Sequence, residues 1–174
     1  AEVEREQNLD SNRLRHLPSM LFGLQSAFRS AAGSLAGDYR RLYPSDFTKG
    51  LRGIPINGLV WMGSFEEMCQ RMEEKLEKGF RCVKLKIGAI DFDSELAMIR
   101  LLRSRYSEET VELRVDANGG FSPEEAPLRL EALARYGIHS IEQPIRQHQW
   151  KEMAHLCATT PLPIALDEEL IGVN

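Results

Sequence analysis

From residue 56 onward, short apolar runs alternate with stretches of helical periodicity. The runs are residues 56–61 (INGLVW), 81–87 (RCVKLKI), 111–116 (VELRVD), 138–142 (IHSIE) and 163–167 (PIALD). Each has the length and flanking polar residues of a β-strand. Between the first two, Ser64 stands three positions before Glu67, the spacing of a capping box, and Gly79 is placed to stop the helix. A second helix is predicted over 93–104, where Leu96, Ile99 and Leu102 recur at helical spacing. Ser122-Pro123-Glu124-Glu125 signals a third, although Pro127 removes a hydrogen bond and pushes the regular helix a little later. A fourth is predicted over 149–158. Five strands in strict alternation with four helices predict an α/β fold of parallel strands and right-handed crossovers. An open doubly wound sheet and a (β/α) barrel satisfy this pattern equally.

Residues 1–53 do not join the repeat. Residues 17–35 (LPSMLFGLQSAFRSAAGSL) read as one small-residue-rich helix, and 37–53 as a polar connector punctuated by glycine and proline. Two regions are therefore expected: 1–53, leading in, and 54–174, carrying the strand–helix units.

Composition narrows the class. The chain has 174 residues, 43% hydrophobic and 28% charged, with formal net charge −4. That balance is typical of a globular protein and argues against nucleic acid as the main partner, which requires a basic face. The basic clusters, Arg40-Arg41 and residues 100–105, are short and interrupted. No apolar run approaches the roughly 18 residues of a membrane helix, and the charged start AEVEREQNLD lacks a secretory apolar core. Cys69, Cys82 and Cys157 are odd in number and widely spaced, which predicts buried free thiols rather than disulfides or a thiolate metal site. A cytoplasmic protein with no membrane partner is expected.

Candidate chemistry gathers at the strand ends. Lys84 and Lys86 alternate along one strand and so share a face. Asp116, Glu142 and Asp167 each close a predicted strand, 26 and 25 residues apart, which predicts three carboxylates at one height on neighbouring strands. The carboxyl ends of parallel strands are where such folds place their sites. Three carboxylates without histidine or thiolate suit a hard cation, Mg²⁺ foremost with Mn²⁺ as a substitute. A lysine beside such an ion is expected to have a lowered pKa and to act as a base, pointing to proton abstraction next to a carboxylate. Each signal alone has a plain alternative: a solvated strand edge for the lysines, a helix start for Asp167-Glu168-Glu169. Gly119-Gly120 is too short to cradle a phosphate, and His16, His139, His148 and His155 lack metal-ligand spacing. His139 is expected to bond only locally, and Trp61 only to pack.

Lys84-Leu85-Lys86, Asp116-Ala117-Asn118-Gly119-Gly120-Phe121, Ile141-Glu142-Gln143-Pro144 and Asp167-Glu168 together resemble the enolase superfamily, in particular its muconate-lactonizing subgroup. His139–Pro144 and Leu166–Gly172 are most similar to its o-succinylbenzoate synthases. The resemblance implies part of a modified (β/α)₇β barrel of the TIM type, about five strands, with the α+β capping domain largely missing. It implies Asp116, Glu142 and Asp167 as Mg²⁺ ligands, Lys86 as acid/base, Lys84 as support for the enediolate, and Asn118 as a contact to the substrate carboxylate or intermediate. A small carboxylate substrate follows, dehydrated on the way to menaquinone, or else racemised or epimerised by the same apparatus.

The family's opposing lysine lies on a sixth strand, beyond Asn174. A chain of five strands is expected to be part of a longer product, inactive alone and prone to associate through an open edge.

Overall fold

A computed structural model describes residues 14–35 and 45–171. The charged start, Arg40-Arg41 and residues 37–44 of the predicted connector lie outside the described residues. Helix α1 spans Pro18–Leu35, as its composition predicts, and belongs to one compact unit. A second unit, Ile56–Leu170, carries the strand–helix repeat.

In this second unit β1 is Gly58–Val60, α2 Phe65–Glu77, β2 Cys82–Lys86, α3 Phe92–Arg105 and β3 Glu112–Asp116. Then follow α4 Ala126–Ala134, β4 Ser140–Glu142, α5 Trp150–Thr159 and β5 Ile164–Ala165, with a 3₁₀ turn at Glu168–Leu170. The local signals act as expected at α2: Ser64 accepts the Glu67 N–H, Glu67 returns a bond to the Ser64 N–H, and Gly79 takes φ +85°. At the third helix Ser122 and Glu125 make a turn first, and regular helix begins at Ala126. Pro127 then falls in the first turn, where its missing N–H has no helical partner to lose.

All five strands are parallel, in the spatial order β1-β2-β3-β4-β5. This settles what periodicity left open. A doubly wound sheet reverses its strand order at a switch point, whereas sequential order with right-handed crossovers keeps every helix on one face, as in a barrel wall. Val60, Val83, Leu85, Leu113, Val115 and Ile141 form the core on that face with Met68, Met72, Met98, Ile99, Leu102, Leu130, Leu133, Met153 and Leu156 from the four helices.

The opposite face carries Lys84, Lys86, Arg114, Asp116 and Glu142, so β2, β3 and β4 are each split into a structural row and a polar one. The sheet ends at β1 and β5, where Leu59, Trp61, Leu166 and Leu170 are exposed. One expectation fails: Cys157 is exposed, and Cys69 and Cys82 are only half-buried, all three as free thiols. The contact surface of α5 is a narrow stripe of Met153 and Leu156, which leaves Cys157 outside. Among the described residues no helix is long and apolar enough to cross a membrane.

Candidate active site

Register decides which side chains meet. In a parallel ladder, paired residues stand side by side and point to the same face. Lys86 pairs with Asp116 and Asp116 with Glu142, so three charged side chains form one row across β2, β3 and β4. Lys84, two residues back on β2, lies on the same face one row below.

The contacts are close. Lys86 Nζ donates to Asp116 Oδ2 at 2.5 Å and to Asn118 Oδ1 at 2.6 Å. Lys84 Nζ lies 2.8 Å from Glu142 Oε2 and 3.2 Å from Asp116 Oδ2. The Asn118 N–H donates to Asp116 Oδ1 at 3.1 Å. Asp116 is wholly buried beneath these partners, while the Lys84 and Glu142 side chains keep 20% and 23% of their surface. The Lys84 and Glu142 side chains are therefore partly open to solvent, with Asp116 covered beneath them. Trp61, expected only to pack, is over half exposed and has its ring centroid 5.5 Å from Lys86 Nζ.

Electrostatics follow the geometry. Burial alone would push the Asp116 carboxyl up, but the bonds from Lys86, the Asn118 N–H and Lys84 outweigh it and hold the group below its ordinary range. Burial pulls the Lys84 ammonium down, but its bonds to Glu142 and Asp116 prevail and leave it raised. The nearest neighbours of Lys84 are these two anions, and they set the direction.

Asp167 departs from the predicted row. Glu142 pairs with Ala165, and the ladder ends there, so Asp167 stands two residues beyond and is exposed. The next residue does reach the cluster: Asn118 Nδ2 donates to Glu168 Oε1 at 3.1 Å. Glu168 Oε2 is buried with no hydrogen-bond partner. Among the described residues, no three acidic, histidine or cysteine side chains are gathered as a ready metal cage. The donor chemistry nevertheless fits a hard divalent ion: carboxylates at the ends of adjacent strands, with one further carboxylate oxygen unsatisfied. The His139 ring lies 3.0 Å from Ser140 Oγ, and its backbone N–H donates to the Leu113 carbonyl at 2.8 Å.

The Gly-Gly pair has a packing role. A Cβ on Gly120 would stand 2.8 Å from the Ala117 carbonyl oxygen, and one on Gly119 would stand 2.9 Å from Arg146 Cα. These close approaches press the loops after β2, β3 and β4 together under the site.

Sequence reasoning passed over three buried residues that organise those loops: Glu95, Gln143 and Glu169. Glu95 accepts the Gly88 N–H at 2.6 Å and the Ala89 N–H at 3.3 Å, just after Lys86. A signal was available, since Glu95 falls on the stripe of Met98, Ile99 and Leu102, where a charge is out of place. Gln143 and Glu169 carried no periodic signal.

Residues 67–174 match the family described as enolase C-terminal domain-like. The chain belongs to that family. An o-succinylbenzoate synthase of Desulfotalea psychrophila is 53% identical over 157 residues, 90% of this chain and 42% of that protein. The crystal structure of MenC from the same organism superposes with a TM-score of 0.69 and 42% identity, covering 99% of this chain and 52% of that one. An o-succinylbenzoate synthase from Thermosynechococcus elongatus BP-1, complexed with Mg in the active site, gives a TM-score of 0.60 at 29% identity, over 67% of this chain and 37% of the other. The L-Ala-D/L-Glu epimerase of Bacillus subtilis is 31% identical over 138 residues, 78% of this chain and 34% of that enzyme. The chain thus spans about half the length of the relatives it matches. The barrel-wall topology agrees with these enolase-superfamily neighbours, of which it forms a part.

Proposed function

We propose that the protein to which this chain belongs is a Mg²⁺-dependent o-succinylbenzoate synthase, acting in menaquinone formation. It removes water from 2-succinyl-6-hydroxy-2,4-cyclohexadiene-1-carboxylate. The observation that carries the reading is the row Lys86–Asp116–Glu142 at the carboxyl edge of the sheet, with Lys84 beside it. The identity to the Desulfotalea enzyme supports the choice of substrate.

In this reading Asp116, Glu142 and Asp167 hold the ion. Bound there, it stabilises negative charge on the substrate carboxylate as the adjacent C–H bond breaks. Lys86 takes that proton as a neutral amine. The electron pair left behind forms the third ring double bond as the C–O bond breaks, and the hydroxyl departs as water with the proton from Lys86. The ring becomes aromatic, so the step is strongly downhill. Asn118 Oδ1 and Asp116 Oδ2 hold Lys86 Nζ at the edge where the reacting carbon arrives. Lys84, bonded to Glu142 and Asp116, faces the developing anion. The Trp61 ring lies 5.5 Å from Lys86 Nζ and forms part of the wall around its head.

The test is o-succinylbenzoate formation by the full-length protein, with and without chelator, beside Lys86→Ala. Turnover lost to both treatments supports ion and base together. The Bacillus epimerase relative favours a second reading, 1,1-proton transfer on an N-succinylamino acid or dipeptide. Folded, metal-loaded protein that makes no o-succinylbenzoate but exchanges solvent deuterium into such a substrate would replace the first reading by the second.

A further inference from the structure

Of the three carboxylates assigned to the ion, two stand on strands and one does not. The Asp116 and Glu142 backbones are held by ladder bonds on both sides. Asp167 follows a strand of only two residues, and a single surface loop does not by itself hold a ligand to within the tolerance of a Mg²⁺ site.

What holds this loop is the side chain of Gln143. Its Oε1 accepts the Asp167 N–H at 3.1 Å and the Glu169 N–H at 3.2 Å. Its Nε2 donates to the Ile145 carbonyl at 2.9 Å and to Glu169 Oε2 at 3.4 Å. Glu169 Oε1 in turn accepts the His148 N–H at 2.9 Å. The Gln143 amide thus uses both its donors and both its acceptor positions. Its orientation has no alternative, because a flipped amide would set Nε2 against two N–H groups and Oε1 against a carbonyl and a carboxylate. Gln143 and Glu169 are 0% and 2% exposed, so no water competes for these bonds. The Gln143 backbone sits at φ +41°, a left-handed conformation that a non-glycine residue keeps only where surrounding contacts over-determine it.

We infer that Gln143, braced by Glu169, is a positioning residue that fixes Asp167 relative to Glu142 and so completes the ion site. This rests on the metal-binding reading above. The same residue that follows the β4 ligand in sequence carries the β5 ligand in space, coupling two neighbouring barrel units through one buried amide.

The experiment is a double-mutant cycle on the full-length protein, reading Mg²⁺ affinity by calorimetry. The variants are Gln143→Met, Asp167→Ala and the pair together. Gln143→Met keeps the side-chain length and removes the polar groups. Its Mg²⁺ affinity is expected to fall by about 10- to 100-fold, the usual scale for partners of metal ligands. In the Asp167→Ala background the same substitution is expected to change affinity less than about twofold, because its target is gone. Unchanged affinity in the single variant, or equal losses in both backgrounds, would overturn the inference. Should Gln143→Met not fold, Glu169→Gln loosens the same amide and is read in the same cycle. Amide exchange of 167–169 without metal separates the two claims. Faster exchange in the variant is expected even if the parent binds no Mg²⁺, a result that would sink the metal reading alone. Unchanged exchange would sink the bracket itself.

Discussion

The edge formed by β2, β3 and β4 and the edge formed by β5 bear acids of the same type but hold them by different means. At the first, Asp116 and Glu142 inherit their positions from the ladder, and two lysines neutralise them at 2.5–3.2 Å. At the second, the ladder has ended, and Asp167 is placed by a side chain from the neighbouring unit. Strand-borne residues are rigid because backbone pairing fixes them. A loop-borne residue becomes rigid only where a buried, fully bonded group replaces the missing ladder. The contrast teaches that equal spacing in sequence does not give equal anchorage in space.

The largest expected effect is on chemistry at the first edge. Lys86→Ala is expected to reduce turnover by about 10²–10⁴-fold, the range for losing a general base, measured as product formation at saturating substrate. Next come stability effects that separate the edges. Asp116→Ala leaves two part-buried ammonium groups short of a partner and is expected to cost about 3 kcal/mol in denaturant unfolding. Asp167→Ala, exposed and without an ion pair among the described residues, is expected to cost less than about 0.5 kcal/mol. Equal costs would break the comparison. On the apolar face, Leu113→Ala is expected to cost about 2–5 kcal/mol, with no effect on the ion affinity of the folded protein.

A smaller effect sharpens how the first edge is supported from beneath. Burial raises the Glu95 carboxyl above its ordinary value, despite the N–H bonds from Gly88, Ile90 and Ala89. The folded state therefore keeps this proton to higher pH than the unfolded state does. The associated stability is complete below the unfolded value, about 4.3, and is lost as pH rises through the folded one. The melting temperature of the parent minus that of Glu95→Gln is expected to fall as pH rises across that window; a flat difference would show that Glu95 does not titrate there. Last is the cap of α2: Ser64→Ala is expected to cost about 1 kcal/mol.

Much of this was legible along the chain. The five strands and the helices between them were readable because period and caps are local properties, as at Ser64, Glu67 and Gly79. The grouping of Lys84 with Lys86 followed from a two-residue repeat, and that of Asp116 with Glu142 from one strand–helix unit. Asp167 was placed in the same row because its spacing was nearly equal. The register of β4 against β5, which no local pattern encodes, sets it two residues further on. Glu95 was readable in principle as a charge on an apolar stripe. Gln143 was not, because its role comes from four hydrogen bonds to Ile145, Asp167 and Glu169, the last two over twenty residues away.

The sequence by itself determined the elements, the shared face of Lys84 and Lys86, and the residue types that could do chemistry. These depend on periodicity and side-chain chemistry, which a chain carries wherever it lies. Periodicity left open whether the sheet is a barrel wall or doubly wound, and strand order in the tertiary structure bears out the barrel that the family resemblance implied. The tertiary structure alone showed that the lysines of β2 bind the acids of β3 and β4, and that a buried amide holds the last acid. Strand order, register and burial are properties of long-range pairing, and they exist only once distant segments have met.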